Sequence, residues 1–318
     1  MRFAFLMDPL AGVLVDKDTT FALMLAAQAR GHDVFTLGPD DLVADGADTF
    51  ARVRPATVRR AAPPDHASEG PVARVNLGEF DAVFVRTDPP FDSRYLYVTQ
   101  LLERIKHKTL VLNDPQGLRD ANEKLYALHF PEVMPRTLVA SSEEEIRAFL
   151  QRLGGPGVIK PLDGAGGRGV MLLDLADRNF RSIVETLTAE GRRYAMVQEY
   201  LPAVRVGDKR ILLLDGEALG AILRVPREDD ARSNIHVGGS VVPTELDADD
   251  RRIVAAVGPR LRADGLYFVG LDVIGGRLTE VNVTSPTGIQ ELSRFQGGDP
   301  EGRVIAWVEA RVASRRAS

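Results

Sequence analysis

Cysteine is absent from this 318-residue chain. That excludes disulfides, thiolate metal sites and a cysteine nucleophile. Histidine is scarce, at five residues, and none has zinc-ligand spacing. There is no G-x-S-x-G elbow, so a Ser-His-Asp hydrolase has nothing to rest on. Metal chemistry in this chain must therefore use carboxylates and other oxygen donors. No apolar run approaches the length of a membrane span. The opening M-R-F-A-F-L-M-D-P reaches Asp8 too soon for a signal peptide, so the expectation is a cytoplasmic protein. Neither sign of charge is in excess: Lys+Arg number 40 against Asp+Glu 45, for a net charge of −5. That gives no reason to expect nucleic acid or an anionic membrane as partner. What remains is ordinary for a soluble globular protein, 44% hydrophobic and 27% charged. The length allows one large domain or two to three small ones.

The pattern along the chain is α/β. Arg2 to Met7 reads as a strand, Thr19 to Arg30 as a helix capped by Asp18 and ended by Gly31, and Val34 to Leu37 as a second strand. This β-α-β opening predicts a parallel, doubly wound sheet, whose ligands sit at the carboxyl ends of strands. Asp8 to Thr20 is then a candidate rim, or an ordinary loop. Residues 40 to 76 have poor periodicity and are expected to be irregular. Phe80 to Arg86 is a further strand running into T-D-P-P-F-D, where the prolines stop it. Arg86 and Asp88 at its end fit either a substrate carboxylate clamp or a surface ion pair. Tyr95 to Ile105 reads as a helix, Thr109 to Asn113 as a strand, and Arg119 to Phe130 as a helix carrying Lys124. Ser141 to Glu145 starts the helix that ends at Leu153.

The second half turns antiparallel. Val158 to Pro161 carries Lys160, Asp163 to Gly169 is a Gly-rich turn, and Val170 to Leu173 returns. No G-K-[ST] opens a helix here, so it is no P-loop, and the turn joins two strands, so it is no Rossmann fingerprint. A lid over phosphates and a simple Gly hairpin both fit. Arg178 to Glu190 is a helix, and Tyr194 to Leu201 is a strand with Gln198-Glu199 at its polar end. Asp208, Lys209 and Arg210 start another strand, and Leu219 to Arg224 pairs back. Pro226 to Gly239 is long, polar and proline-bearing, a lid or a plain surface loop. Asp247 to Asp264 is a helix and Val304 to Val312 a closing one. Between them, Val269 to Glu291 reads as two strands joined at Gly275-Gly276. Asp272 lies on the first strand, and Glu280 and Asn282 share a face of the second. These three make a hard-oxygen site for Mg²⁺, or the polar face of a plain hairpin. A two-residue turn would pair Asp272 with Thr279 and send Glu280 behind the sheet. The metal reading therefore requires an odd loop or a bulge.

Several strings occur in one order: R-T-D-P-P-F-D at 86–92, L-R-D-A-N-E-K-L at 118–125, I-K-P-L-D-G-A-G-G at 159–167, Q-E-Y-L-P at 198–202, G-D-K-R at 207–210 and F-V-G-L-D-V-I-G-G-R-L-T-E-V-N-V-T-S-P-T at 268–287. In these the chain resembles the prokaryotic glutathione synthetases of the ATP-grasp superfamily, over nearly its whole length. The resemblance implies an ATP-grasp fold of mixed α/β and α+β type. An N-terminal parallel-sheet preATP-grasp domain would span 1–121. A central subdomain with a small Gly-rich lid would span 122–201. A C-terminal subdomain with a large lid at 226–240 would span 202–318, with ATP between the last two.

The implied reaction is ATP-dependent ligation of glycine to γ-glutamylcysteine through an acyl phosphate, giving glutathione, ADP and phosphate. Lys124 and Lys160 would contact ATP phosphates under the lid at Gly166 and Gly167. Gln198, Glu199, Tyr200 and Leu201 would hold adenine, and Asp208 the ribose. Arg210, Lys160 and Arg224 would be the catalytic cations. Asp18, Thr19, Arg86, Arg224, Arg232, Gly238, Gly239, Ser285 and Thr287 would face the substrates. Asp272, Glu280 and Asn282 would bind Mg²⁺, or Mn²⁺. The family also implies a homotetramer, or a dimer. One departure stands out. The family's large lid carries G-G-R, whereas this chain has G-G-S ending at Ser240, one anion contact fewer. The competing readings are another carboxylate–amine ligase with a different acceptor, and a nucleotide-binding regulatory protein that has lost catalysis. The second predicts a missing phosphate or metal ligand, and none is missing.

Overall fold

The structure, a computed structural model, describes residues 1–164, 166–226 and 240–317. Arg232, Gly238 and Gly239 lie outside the described residues. The chain opens with β1 (Arg2–Met7), α1 (Thr19–Ala29) and β2 (Asp33–Leu37). Asp18 caps α1, its Oδ1 accepting from Phe21 N at 2.7 Å. Next come β3 (Leu42–Asp45), β4 (Asp48–Val58), β5 (Ala67–Glu69) and β6 (Ala73–Asn76), then β7 (Ala82–Arg86), α2 (Ser93–Glu103), β8 (Leu110–Leu112) and α3 (Pro115–Asp120). The strands β2, β1, β7 and β8 pair in parallel in that order, as the β-α-β pattern predicts.

Residues 40–76 correct the expectation of irregular chain. They form an antiparallel arm in which β4 pairs with β2, β3, β5 and β6. Thr49, Ala51 and Val53 are buried while Arg52 between them faces solvent, and after Pro55 the buried set resumes at Ala56 and Val58. The strand is thus a period-two pattern of small apolar residues, interrupted once by proline.

The helix expected over Arg119 to Phe130 is also corrected. α3 stops at Asp120, and a 3₁₀ turn covers Tyr126–His129. Asn122 causes the break. Its Oδ1 accepts from the backbone N of both Lys124 and Leu125, each at 3.1 Å, a local bond that competes with helix. Lys124 therefore sits on a turn, not on a helix face.

The next sheet runs β11-β10-β12-β9, all antiparallel, from β9 (Thr137–Ala140), β10 (Gly157–Pro161), β11 (Met171–Leu173) and β12 (Ala195–Glu199). The helices α4 (Glu143–Leu153) and α5 (Phe180–Thr188) bury Ile146, Leu150, Phe180 and Val184 against it. The third sheet runs β15-β14-β13-β16-β17, built from β13 (Asp208–Leu214), β14 (Glu217–Val225), β15 (Ser240–Pro243), β16 (Phe268–Ile274) and β17 (Arg277–Asn282). α6 (Ala248–Ala263) packs on it through Ile253 and Val257. Ser240, the departure from the family string, pairs with Val225 at the start of β15.

Two points at the C-terminal end differ from expectation. The strands of the 269–291 segment end at Asn282, and Ile289–Gln296 forms a helix, α7. The closing helix, α8, is longer than Val304 to Val312 and covers Pro300–Ala317. Its buried face, with Val304, Ile305, Val308 and Val312, shares a core with Phe21 and Met24 of α1. The chain end thus returns to the first sheet. Among the described residues no helix is long and apolar enough to cross a membrane.

Asn113, at the end of β8, ties the first sheet to the third. It is 4% exposed. Its Nδ2 donates to Phe268 O at 2.9 Å and Val283 O at 2.8 Å, and its Oδ1 accepts from Phe268 N at 2.8 Å. Asn113→Ala orphans three buried backbone groups. We expect it to destabilise the protein by about 2–4 kcal/mol, measured by denaturant unfolding.

Candidate active site

One cavity of about 1760 Å³ lies between the three sheets, and every described residue singled out from the sequence lines it. Its floor is the β16–β17 hairpin. Gly275 and Gly276 form the turn at φ +54° and +70°, a conformation that favours glycine. Ile274 pairs with Arg277 and Val273 with Leu278, then the register shifts and Asp272 pairs with Glu280. The bulge that a metal reading requires is present, at Thr279, whose Oγ1 donates to Asp272 O at 3.1 Å. Asp272 and Glu280 are therefore cross-strand neighbours on one face. Asn282 lies one same-face step further on, with Nδ2 donating to Gly270 O at 3.3 Å, which leaves Oδ1 as an acceptor.

Cations crowd this floor. Lys124 Nζ lies 2.9 Å from Glu280 Oε1 and donates to Gly164 O at 2.6 Å. Lys160 Nζ donates to Thr279 O at 3.3 Å. Burial pushes the Lys160 ammonium below its usual range, while the Glu280 carboxylate works against that shift. Arg210 grips Asp272 with its fork, Nε to Oδ1 at 2.5 Å and Nη2 to Oδ2 at 3.1 Å, and its Nη1 donates to Thr287 O at 3.3 Å. Arg224 bonds Asp208 and also sits 2.9 Å from Asp272 Oδ2. Burial opposes ionisation of Asp272, yet Arg210 and Arg224 outweigh it and hold the carboxyl below its usual range. Burial pushes Asp208 the other way, above its usual range, against the pull of Arg224. The structure thus places Lys124, Lys160, Arg210 and Arg224 on the same surface as Asp208, Asp272 and Glu280.

A metal would have to fit among these groups. Among the described residues no cluster of three or more His, Cys, Asp or Glu is placed to hold one. The donor set that does fit is two carboxylates and an amide oxygen, all hard. Arg210 and Arg224 favour the charged form of Asp272, and Glu280 faces it across the ladder, which suits a cation completed by substrate oxygens.

The nucleotide-side residues fall on the second sheet. Gly166 and Gly167, on the loop after β10, have φ of +66° and +75° and line the same cavity as Lys160. Gln198 is buried, with Nε2 donating to Thr137 Oγ1 at 3.2 Å. Glu199 turns its carboxylate to Arg136, whose Nε donates to Oε2 at 3.2 Å, and its backbone N donates to Arg136 O at 2.9 Å.

The opposite end belongs to the first sheet. Arg86 is buried, so its clamp and surface-pair readings separate here. Its Nε donates to Thr20 Oγ1 at 3.1 Å and its Nη2 to Pro286 O at 2.9 Å. Asp88 is exposed and makes no hydrogen bond to it. Ser285 and Thr287 flank Pro286 on the loop after β17. Two residues of this region, Glu123 and Glu291, escaped the sequence analysis, and Thr20 of the expected rim takes a role that was not foreseen. Glu123 Oε1 accepts from Val283 N at 3.0 Å, Thr284 N at 3.2 Å and Thr284 Oγ1 at 2.8 Å, and so shapes that loop. Thr20 holds Arg86. Glu291 reaches the cavity from α7. Only Glu123 lies in a quoted string, beside the lysine that drew attention to it.

Residues 1–119 match the family model described as prokaryotic glutathione synthetase, N-terminal domain, and residues 123–297 match prokaryotic glutathione synthetase, ATP-grasp domain. The chain is 48% identical to a glutathione synthetase of Synechococcus elongatus, over 98% of this chain and 99% of that protein. It is also 48% identical to one of Gloeobacter violaceus, over 97% and 96% respectively. Among solved structures it is similar to D-cycloserine synthetase DcsG, with a TM-score of 0.66, 20% identity, and coverage of 99% of this chain and 100% of that one. The ATP-grasp ligase PsnB, complexed with minimal precursor, Mg and ADP, gives a TM-score of 0.65 at 17% identity, with coverage of 98% and 97%. At such identities the structural likeness speaks for the fold alone.

Proposed function

The chain belongs to the prokaryotic glutathione synthetases, ATP-dependent ligases that join glycine to γ-glutamylcysteine, and we propose the following division of labour among its residues. Lys124 and Lys160 hold the ATP phosphates. Their burial means that each gains from an anionic partner what it lost in hydration. Gly166 and Gly167 bring backbone N–H groups to the same phosphates. Gln198 and the backbone through Leu201 hold adenine by its edge, and Asp208 the ribose. Arg210, fixed by Asp272 and Thr287, meets charge developing on the transferring phosphoryl group.

The cysteinyl carboxylate oxygen attacks the γ-phosphorus, and the bond to the ADP oxygen breaks. The glycine amine then attacks the acyl carbon, loses a proton, and expels phosphate with the acyl oxygen. Arg224, with a buried Nε that has no hydrogen-bond partner among the described residues, lies beside this chemistry and suits the tetrahedral intermediate. Asp272, Glu280 and Asn282 are the ligands we assign to Mg²⁺, or Mn²⁺, which when bound would neutralise phosphate charge. Arg86, Asp18, Thr19, Ser285 and Thr287 receive the peptide. We extend the reading to a homotetramer or dimer acting in the cytoplasm, where ATP is available. A monomer mass in solution would exclude the assembly.

The observation that carries this reading is the buried set of four cations facing two cross-strand carboxylates in one cavity. The test is phosphate release with γ-glutamylcysteine, glycine and ATP, omitting each in turn. Release that ignores the omission of glycine or peptide, or that prefers another acceptor, would overturn it. Arg86→Lys keeps the charge but loses the planar fork. We expect it to raise KM for the peptide roughly tenfold, with KM for ATP unchanged, in the same assay.

A further inference from the structure

Glu291 is 4% exposed and lies in the first turn of α7. Its Oε1 pairs with Arg294 Nη2 at 3.2 Å, and that arginine is half in solvent, its side chain 49% exposed. Its Oε2 is buried and has no hydrogen-bond partner among the described residues. An acidic residue in a first turn suits the helix dipole, but that role needs neither burial nor an open oxygen. A buried carboxylate oxygen without a donor is unfavourable by itself, and it is suited to receive one.

The position is rigid. Gln290 Nε2 donates to Val15 O at 3.0 Å and Asp18 O at 2.7 Å, and Arg294 Nη1 donates to Asp16 O at 2.8 Å. These bonds lock α7 onto the loop that leads into α1. Glu291 lines the same cavity as Asp18, Thr19, Arg86, Ser285 and Thr287. The other acidic groups there are engaged or screened. Asp18 caps α1, Asp8 accepts from Asp88 N at 3.1 Å, Glu123 holds the Val283–Thr284 backbone, Glu280 pairs with Lys124, and Asp88 faces solvent.

The peptide substrate carries two carboxylates and one ammonium group. Arg86 answers a carboxylate, and Asp18, the one acidic group assigned to the peptide so far, already caps α1. We infer that Glu291 receives the α-ammonium of the γ-glutamyl residue through Oε2, and so selects γ-glutamyl peptides over acyl peptides that lack the amine. The inference rests on the function given above.

The test uses the full-length enzyme and two peptides, γ-glutamylcysteine and N-glutarylcysteine, which differ only by the α-amino group. Wild type should favour the first by roughly ten- to hundredfold in kcat/KM. Glu291→Gln should raise KM for γ-glutamylcysteine by a similar factor, leave KM for ATP and glycine unchanged, and bring the two peptides close to parity. Glu291→Asp should restore part of the preference. Equal losses on both peptides would mean a merely structural residue and would overturn the inference, as would a preference that survives in Glu291→Gln. Calorimetric binding of the two peptides to wild type gives an answer that needs neither variant folding nor turnover, and equal affinities would refute it. An active wild type without this discrimination sinks the Glu291 inference alone. A wild type inactive on γ-glutamylcysteine and glycine sinks the function, and the inference with it.

Discussion

Glu280→Gln reduces glutathione formation by roughly 10³-fold or more and leaves the fold intact. The expected asymmetry follows from what Glu280 touches. Lys124 Nζ lies 2.9 Å from Oε1, and a carboxamide oxygen can accept the same bond. The glutamate side chain retains 21% exposure, so the swap buries no new polar group. The shift in thermal midpoint should stay within a few degrees. What the amide cannot do is offset the charge of a divalent cation beside Asp272. Two carboxylates become one, and the single remaining one is already gripped by Arg210 and Arg224. Cation affinity should fall accordingly, and a titration of Mn²⁺ followed by its paramagnetic signal, with ADP present, should require far more metal. Turnover within tenfold of wild type, or unchanged Mn²⁺ affinity, would remove Glu280 from the metal site.

That hairpin also measures how much was legible in the sequence. Alternation identified Asp272, Glu280 and Asn282, and the arithmetic of a two-residue turn called for a bulge. The bulge is at Thr279, where a hydroxyl bonds back to Asp272 O. Local period and turn chemistry suffice here because both strands are sequence neighbours. They fail where the cause is distant or competing. Pro55 hid the alternation of β4, which is a strand because β2, β3, β5 and β6 all pair with it. Asn122 broke a helical pattern through a side-chain bond to its own turn. Glu123 acts on Val283 and Thr284, some 160 residues away, and no spacing rule reaches that far. α7 was invisible because Ile289–Gln296 follows a strand pattern with only Gly288 between loop and helix. The roles of Glu123 and Glu291 depend on that loop and helix, so they were hidden with them.

Arg210→Lys provides the second large effect, and it separates charge from geometry. Arg210 makes three bonds to two partners, a fork onto Asp272 and one bond to Thr287 O. A lysine ammonium can pair with Asp272 but cannot also span to Thr287 while holding a fork in the cavity. Removing the charge altogether would leave buried Asp272 with Arg224 as its cation and would unsettle the fold by several kcal/mol. The lysine variant avoids that confusion. Its stability loss should stay near 1–2 kcal/mol, because a charged donor still meets the carboxylate. Its kcat should nevertheless fall by about 10²–10³-fold, the loss seen when one positioned donor to a developing anion is removed. KM for ATP should change little, because the phosphate contacts proposed for Lys124 and Lys160 are untouched. Steady-state kinetics with ATP and peptide varied separately resolve this split. A variant with normal kcat and a raised KM for ATP would make Arg210 a ground-state binder of nucleotide and would remove it from the transferring phosphoryl group.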